Sequence, residues 1–235
     1  MATEIKRKTG MPISEGYGLT ETSATTHINL SAFSRIFGFM AREKHGIGLP
    51  CPDTECKLVD PQSDQEAPFG EPGEIMVRGP QVMRGYWPEV GSGLATGSWL
   101  RTGDIAVMDE DGYFQLVDRI KDMVNVSGMK VYTTEVDEVL FKHPGVLMAA
   151  AFGVPDPEMP GSERVMAAVQ LKDGQQGQVS VQEIKDFCRQ HLPPYAVPKY
   201  IEFCLEMPLT VTEKVFKKVL REEAINRMKE GRQEG

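Results

Sequence analysis

The hydrophobic pattern of this chain changes near Asp118, and the change restricts the folds that the chain can adopt. Up to that point, short segments of alternating polarity are separated by turns rich in glycine and proline, which is typical of a β-rich body. After it, helical and strand patterns alternate. The sequence therefore predicts an α+β fold, with a β-rich region over residues 1–120 and a separate, smaller α+β region over residues 121–235.

The β-rich region contains four segments with strand character, and a turn ending in Gly112 joins the last two into a hairpin. The predicted strands are 55–60, 74–78, 105–108 and 113–117. The region opens abruptly on a glycine turn, and its strands need a surface to pack against. We therefore expect it to be the end of a larger domain.

The region after residue 120 is long enough, at about 115 residues, to build a core of its own. Ser180 and Glu183 form a capping box at the start of its clearest helix, and Thr134 is the candidate cap of an earlier helix. In the last helix, Phe216 and Leu220 belong to the predicted inward face. The predicted helices are 134–142, 180–192 and 214–229, and the predicted strands are 147–154, 164–171 and 200–205.

Charge and composition exclude several classes of protein. The net charge of −8 disfavours a nucleic-acid surface. The four cysteines form no CxxC pair and have no zinc-site spacing, which indicates free thiols in a reduced, cytoplasmic compartment. No apolar run approaches the roughly 18 residues of a membrane helix, and the polar amino terminus lacks a signal-peptide core. Peripheral membrane contact and the oligomeric state stay open.

Two glycine turns carry side chains that suit a nucleotide. In the segment YGLTET, Thr20 can donate to a phosphate oxygen and Glu21 can hold a hard cation, with an aromatic ring beside the turn. In the segment WLRTGD, Asp104 can accept both hydroxyls of a ribose. Taken singly, the first segment could instead be a surface turn with a helix cap, and the second is more typical of an Asp in an ordinary β-turn.

Two further segments carry exposed cations. Arg119 and Lys130 offer positive charge to an anionic ligand, and Gly128 would let the backbone approach it closely. Lys214 follows a loop at the predicted mouth of the last helix and could reach a phosphate. The alternatives are a solvated linker and an ordinary surface lysine.

The order and spacing of these segments is more specific than any one of them. The chain resembles the adenylate-forming family of acyl-CoA synthetases, luciferases and peptide-synthetase adenylation domains through YGLTET, GEIMVRGPQVMRGYW, WLRTGD, VDRIKD with SGMKVYTTEVDEVL, and PLTVTEK. The resemblance covers nearly the whole chain. It is closest to bacterial long-chain fatty-acid–CoA ligases, through GIGLPCPDTECKLVD, GPQVMRGYW, GDIAVMDEDGYFQLVDRIKDM and HPGVLMAAAFGVPD. It implies ATP-dependent ligation of a carboxylic acid to coenzyme A through an acyl-adenylate.

The resemblance implies a nucleotide site in the first region. Tyr17 would lie against the adenine of ATP or AMP, and Gly18 would line its pocket. Thr20 would contact the α-phosphate, and Glu21 would help to hold Mg²⁺. Asp104 would bind the ribose hydroxyls.

For the rest of the chain, the resemblance implies residues that act in different steps of catalysis. Arg119 would assist the ribose contact, and Lys121 would be the hinge of a mobile small domain. Ser127 and Gly128 would approach coenzyme A in the thioester-forming state. Lys130 would sense phosphate or coenzyme A. Lys214 would bridge the carboxylate and the α-phosphate during adenylation.

Three departures from the family pattern stand out. Glu213 occupies a position where the family usually has glycine, and Thr133 replaces a common proline. No glycine- and threonine-rich phosphate loop precedes Tyr17, so we expect the chain to be a carboxy-terminal portion with little or no ligase activity alone. The alternatives are an aryl- or other acyl-CoA ligase, a peptide-synthetase adenylation domain, and a non-catalytic module that binds coenzyme A or a nucleotide.

Overall fold

The computed structural model of the protein describes residues 8–10, 14–30, 44–210 and 213–233. The chain forms two compact units, residues 1–120 and residues 121–235. The strands are β1 (Glu15–Tyr17), β2 (His27–Asn29), β3 (Leu49–Pro50), β4 (Glu55–Val59), β5 (Gly73–Arg78), β6 (Leu94–Ala95), β7 (Trp99–Met108), β8 (Phe114–Arg119), β9 (Val124–Val126), β10 (Met129–Val131), β11 (Val146–Pro155), β12 (Glu163–Leu171) and β13 (Tyr200–Phe203). The α-helices are α1 (Thr133–Lys142), α2 (Val181–Arg189) and α3 (Lys217–Gln233).

Antiparallel sheets form the body of the first unit. One sheet has the order β4-β5-β7-β6 with β8 added on β7, and a smaller sheet has the order β1-β2-β3. Their shared core contains the fully buried Ile75 and Val77 from β5, together with Tyr17 from β1 and Phe114 from β8. This packing places the end of β1 beside the central strands of the larger sheet.

The second unit packs helices on both faces of one three-stranded sheet. Strand β12 pairs antiparallel to β11 and parallel to β13. Ala149 and Ala151 of β11 belong to the core formed with α1 and α2, whereas Ala150 and Phe152 belong to the core formed with α3. Since successive side chains of a strand point to opposite faces, a strand covered on both sides needs a nearly continuous apolar run. The segment LMAAAFGV is such a run.

The structure confirms the predicted α+β fold and corrects several boundaries. Strand β7 spans ten residues, so the segment WLRTGD lies inside a strand instead of forming a separate turn. Helix α3 begins at Lys217, not at Lys214, and Phe216 precedes it with 41% of its surface exposed. The predicted cap Thr134 is also wrong, because Tyr132 occupies that position and makes no side-chain capping bond.

Candidate functional site

Tyr17, Asp104 and Arg119 form a hydrogen-bonded group in the first unit, which we call the Asp104 cluster. The Tyr17 hydroxyl donates to Oδ2 of Asp104 at 2.7 Å. The Arg119 Nε donates to the other carboxylate oxygen, Oδ1, at 2.9 Å. Asp104 is 4% exposed, and a buried carboxylate is stable only when it is paired and hydrogen-bonded. The structure therefore brings together three residues that lie up to 102 positions apart and that the sequence singled out separately.

Strand register explains why these residues meet. Asp104 lies directly opposite Arg119 in the antiparallel pair of β7 and β8, where cross-strand side chains of opposite charge attract each other. Gly103 has a φ of 74°, a conformation that glycine adopts without strain, and its N–H donates to the buried carboxylate of Glu74 at 3.0 Å. The GD pair of the motif is thus a local distortion of β7 that orients Asp104.

The surroundings of Tyr17 keep its hydroxyl protonated. Burial is the main cause that raises the pKa of Tyr17 far above its ordinary value, and the Asp104 carboxylate raises it further. A hydrogen bond with Thr102 works in the opposite direction and is outweighed. Tyr17 is therefore a permanent donor to Asp104 at any physiological pH. The sequence did not single out Thr102, although it belongs to the same motif.

Gly18 is required by a close approach of two backbone segments. A Cβ atom at this position would lie 1.4 Å from the carbonyl oxygen of Ala24. The residues after it form a short 3₁₀ turn over Thr20–Thr22, and the buried Thr22 hydroxyl accepts from the Leu19 N–H at 2.8 Å. Thr20 is exposed at the start of this turn. The YGLTET segment thus has a backbone held by internal hydrogen bonds, with Thr20 exposed to solvent.

Glu21 is held by a loop that follows β5. Tyr86 donates its hydroxyl to Oε1 of Glu21 at 2.8 Å, and the Met83 N–H donates to the Glu21 carbonyl oxygen at 2.7 Å. The Tyr86 hydrogen bond lowers the pKa of the Glu21 carboxyl, which stays ionised. Sequence reasoning did not assign Tyr86 a role. The signal available was its place in the GPQVMRGYW segment.

His27 is a second residue that the sequence did not single out. It is fully buried, and its ring meets those of Tyr17 and Phe114 edge-on. Its Nδ1 lies 3.0 Å from the Thr26 hydroxyl, while Nε2 has no hydrogen-bond partner among the described residues. Burial lowers the pKa of His27 to about 4, so the ring is neutral at physiological pH.

In the second unit, Ser127 and Gly128 form the tip of the hairpin that joins β9 and β10. Their φ angles of 52° and 89° are both positive, as a two-residue type I′ turn requires. The Ser127 N–H donates to the Ser162 hydroxyl at 2.9 Å, and the Gly128 N–H donates to Oδ1 of Asn125 at 2.9 Å. A Cβ at Gly128 would meet no atom within 4 Å. The tip is therefore exposed but anchored at its base.

Two more predicted residues border this hairpin in sequence. Lys130 lies in β10 opposite Asn125 and is half-buried. Lys121 is exposed and is the first residue of the second unit. Ser162, which sequence reasoning missed, comes from the loop before β12 and gave no motif by which it could have been found.

Lys214 lies on an exposed turn before α3. The Thr210 N–H donates to the Lys214 carbonyl oxygen at 2.7 Å, and the Lys214 N–H donates to the Thr210 hydroxyl at 3.2 Å. Glu213, which precedes it, has a φ of 59°. This left-handed conformation costs an L-residue roughly 1–2 kcal/mol and glycine almost nothing. The departure from glycine therefore falls at a position where the backbone itself favours glycine.

No group of three or more His, Cys, Asp or Glu side chains is arranged to hold a metal ion in the parts of the chain that the structure describes. None of the helices over the described ranges has the length and apolar character needed to cross a membrane.

Two family models match different parts of the chain. The model described as AMP-binding enzyme matches residues 1–87, and the model described as AMP-binding enzyme C-terminal domain matches residues 135–214. The chain belongs to the AMP-binding enzyme family. The first match contains the YGLTET segment, and the second ends on Lys214. Asp104 and the 127–130 hairpin lie between the two matched ranges.

Relatives and solved structures of the AMP-binding enzyme family extend the match across that gap. The long-chain-fatty-acid–CoA ligase of Escherichia coli O6:H1 (strain CFT073) is 44% identical over 218 residues, which are 92% of this chain and 36% of that protein. ATP-bound MatB from Rhodopseudomonas palustris has a TM-score of 0.83 and 29% identity over 95% of this chain and 43% of its own. MenE from Bacillus subtilis in complex with ATP and magnesium ion has a TM-score of 0.74 and 29% identity, over 92% of this chain and 42% of its own. The chain thus spans little more than a third of the length of the curated ligase.

Proposed function

We propose that this chain contributes the adenosine, magnesium and coenzyme A contacts of an ATP-dependent acid–CoA ligase that works through an acyl-adenylate. The proposed acid is a long-chain fatty acid, because the similar E. coli protein is a long-chain-fatty-acid–CoA ligase. In this proposal residues 1–120 are the end of the large AMP-binding domain, and residues 121–235 are the mobile small domain. Because the chain spans 36% of that ligase, we expect little or no turnover from the chain alone.

The Asp104 cluster is the observation that carries the proposal. Each carboxylate oxygen has two acceptor sites, and one site on each oxygen is used by Tyr17 or Arg119. The remaining acceptor sites can receive the two hydroxyls of a ribose. Since the two protein donors fix the carboxylate before a ligand arrives, binding costs little reorganisation.

Thr20 and Glu21 fit the phosphate end of the same nucleotide. The exposed Thr20 hydroxyl can donate to an α-phosphate oxygen. Mg²⁺ in nucleotide sites is bound by one or two carboxylates together with phosphate oxygens and water, so a single carboxylate at Glu21 fits this ion. When bound, the ion would neutralise negative charge on the phosphates. Tyr86 keeps the Glu21 carboxylate ionised and oriented for it.

Lys214 and the 127–130 hairpin serve separate half-reactions in this proposal. The Lys214 ammonium bridges the attacking carboxylate and the α-phosphate, and it reduces the repulsion between two anions. Ser127, Gly128 and Lys130 guide coenzyme A when the thiol attacks the acyl-adenylate. Lys121 is the hinge where a few dihedral angles change between the two steps.

Binding of AMP tests the Asp104 cluster directly in this chain. We expect AMP to bind the 235-residue chain and Asp104→Ala to weaken it by about tenfold to a hundredfold, because each hydrogen bond to a charged group contributes roughly 1.5–3 kcal/mol. Isothermal calorimetry measures both affinities. Glu89→Ala, which removes an exposed carboxylate from the loop before β6, is the matched control. Equal AMP affinity of Asp104→Ala and the parent chain would contradict the ribose contact.

Catalysis by Lys214 is best tested in a chimera. We would replace the matching segment of the E. coli long-chain-fatty-acid–CoA ligase with this chain and measure fatty-acid-dependent ATP–pyrophosphate exchange. Lys214→Ala should lower this exchange at least about a hundredfold, as loss of a transition-state charge contact does, while thioester formation from supplied acyl-adenylate persists. Lys218→Ala is the control. Equal loss in both half-reactions would remove the role assigned to Lys214.

A further inference from the structure

Lys217, the first residue of α3, is tied to the start of another helix. Its Nζ donates to the hydroxyl of Thr133 at 2.8 Å and lies 2.7 Å from Oδ2 of Asp137. Thr133 is fully buried, and the side chains of Lys217 and Asp137 are 21% and 16% exposed. Asp137 is itself fixed, since its Oδ1 accepts from the Ala151 N–H of β11 at 2.5 Å. Lys217 is therefore anchored to a rigid part of the second unit.

Lys217 lies at a position in its helix that is unfavourable for a positive charge. A positive charge in the first turn of a helix opposes the helix dipole, and α3 has no acidic residue in that turn. The ammonium is compensated from outside the helix by the Asp137 carboxylate. The ion pair thus offsets an unfavourable charge at the start of α3.

The segment fixed in this way is residues 213–216, which we call the Lys214 turn. Lys214 lies three residues before Lys217. The Phe216 N–H donates to the Pro208 carbonyl oxygen at 2.8 Å, and Val215 bridges to Leu209. The exposed turn is thereby connected, through a short run of backbone bonds, to the point where Lys217 is held. Loss of the Lys217 anchor would release the carboxy-terminal end of the turn.

Thr133 contributes a second partner to this anchor. Thr133 is fully buried, and its hydroxyl can accept a hydrogen bond. The Thr133 hydroxyl accepts one hydrogen bond from the Lys217 ammonium, and the Asp137 carboxylate compensates the positive charge. The Lys217 ammonium thus has two partners at the base of the Lys214 turn.

A second basic residue reinforces the same arrangement. Arg221 lies one helical turn after Lys217, and its Nη2 donates to Oε1 of Glu163 at 2.6 Å. The other oxygen of Glu163 accepts from the Asn125 N–H of β9 at 3.1 Å. One face of α3 is thus tied both to the start of α1 and to the hairpin that carries Ser127.

We propose that Lys217 is a positioning residue that holds the Lys214 turn in place through Thr133 and Asp137. The inference rests on the proposed function for the role of Lys214. It adds that this turn is held in a fixed relation to α1 within the second unit. The ammonium of Lys214 is then delivered by a rigid support instead of a freely moving loop.

Hydrogen exchange in the 235-residue chain tests the anchor without requiring turnover. Lys217→Met removes the ammonium and keeps an unbranched stem. It should speed exchange of the 213–216 amides by about tenfold or more, since a partly buried, charged hydrogen bond is lost, while β11 and β12 exchange as before. Lys217→Arg should restore slow exchange. Lys218→Met is the matched control, because Lys218 is 74% exposed and contacts Glu222 at 3.8 Å.

Other outcomes would overturn the inference. Unchanged exchange at 213–216 in Lys217→Met, or a uniform rise throughout the second unit, would show that Lys217 does not position this turn. Thr133→Val provides an independent variant that removes the hydroxyl alone, and it should speed the same amides by a smaller factor. Failure of the proposed function is distinguishable, because Lys214→Ala would then leave adenylation by the chimera intact while the exchange pattern stays as expected.

Discussion

The Asp104 cluster and the Lys214 turn are built in opposite ways. Asp104 is buried and has both carboxylate oxygens hydrogen-bonded, and its neighbour Tyr17 is 9% exposed. Lys214 is exposed, and its turn contains a residue in the left-handed conformation. The first arrangement favours a ligand that meets groups already oriented. The second leaves the positive charge of Lys214 accessible to solvent on a short turn.

This difference matches the two tasks in the proposed function. A group that binds a nucleotide throughout a reaction gains from being fixed before binding, because little entropy is lost. A group that acts in one half-reaction must be able to approach and leave. Its accessibility is then necessary, and precision has to come from the base of the turn, where Lys217 contacts Thr133 and Asp137.

Replacement of Gly18 should cause the largest loss of stability, because the first unit has no space for a side chain there. The added Cβ of Gly18→Ala would lie 1.4 Å from the Ala24 oxygen and 2.8 Å from the Thr25 Cα, both backbone atoms. We expect the free energy of unfolding of the first unit to fall by about 3 kcal/mol or more. Urea denaturation followed by fluorescence measures it.

Gly128→Ala is the matched control for this prediction. Gly128 also has a positive φ, of 89°, but an added Cβ meets nothing within 4 Å. Its cost should therefore be conformational alone, roughly 1–2 kcal/mol. Equal losses for the two variants would show that the close packing around Gly18 is not what requires glycine there.

His27 should make the first unit sensitive to acid. Its pKa is lowered from 6.5 to about 4 by burial, so the unfolded chain binds a proton that the folded chain does not between these values. Stability from the neutral ring is complete above pH 6.5 and is lost as the pH falls towards 4, by roughly 2–3 kcal/mol. The urea concentration at the midpoint of unfolding should therefore be lower at pH 5 than at pH 7 in the parent chain.

The variant His27→Phe isolates this effect from the titration of carboxylates. It keeps an aromatic ring beside Tyr17 and Phe114 but has no group to protonate. The difference in unfolding free energy between pH 7 and pH 5 should shrink in the variant. The same pH dependence in both proteins would place the acid sensitivity elsewhere.

Much of the fold could be predicted from local sequence patterns, because the spacing of apolar residues in these elements matches the face that is buried. The helix predicted over 134–142 is α1, which spans Thr133–Lys142 and buries Val136, Val139 and Leu140. The Ser180 cap of α2 accepts from the Glu183 N–H as expected. Lys214 was placed in a helix because the apolar spacing of Val215 and Phe216 continues that of α3. Lys217, at the start of α3, is held by a tertiary contact with Thr133 and Asp137 that no local pattern in the sequence predicts.

The residues of the candidate site were predictable where a sequence motif contains them. The contacts that depend on strand register were not. Tyr17, Asp104 and Arg119 were singled out one by one. Their direct contact depends on the pairing of β7 with β8 and on the end of β1, which local sequence does not specify. Ser162 and His27 were missed, because a serine in a loop and a histidine in a short strand have no distinguishing neighbours. Their roles arise from packing alone.

Glu213→Gly gives the smallest expected effect and sharpens the contrast between binding site and turn. The φ of Glu213 is 59°, so glycine would relieve local strain, although it also loses more entropy on folding. The net gain should be about 0.5–1 kcal/mol in the second unit, with AMP affinity unchanged because the Asp104 cluster is untouched. Denaturation and calorimetry measure the two quantities.

Ser127→Gly is the corresponding change in the hairpin, where φ is 52°. It should stabilise by a similar amount, since the two residues have the same backbone conformation. A gain at Ser127 without one at Glu213 would mean that the glutamate side chain compensates its own strain. The carboxylate beside Lys214 would then contribute a favourable interaction to the turn, and its presence in place of glycine would have a structural cause.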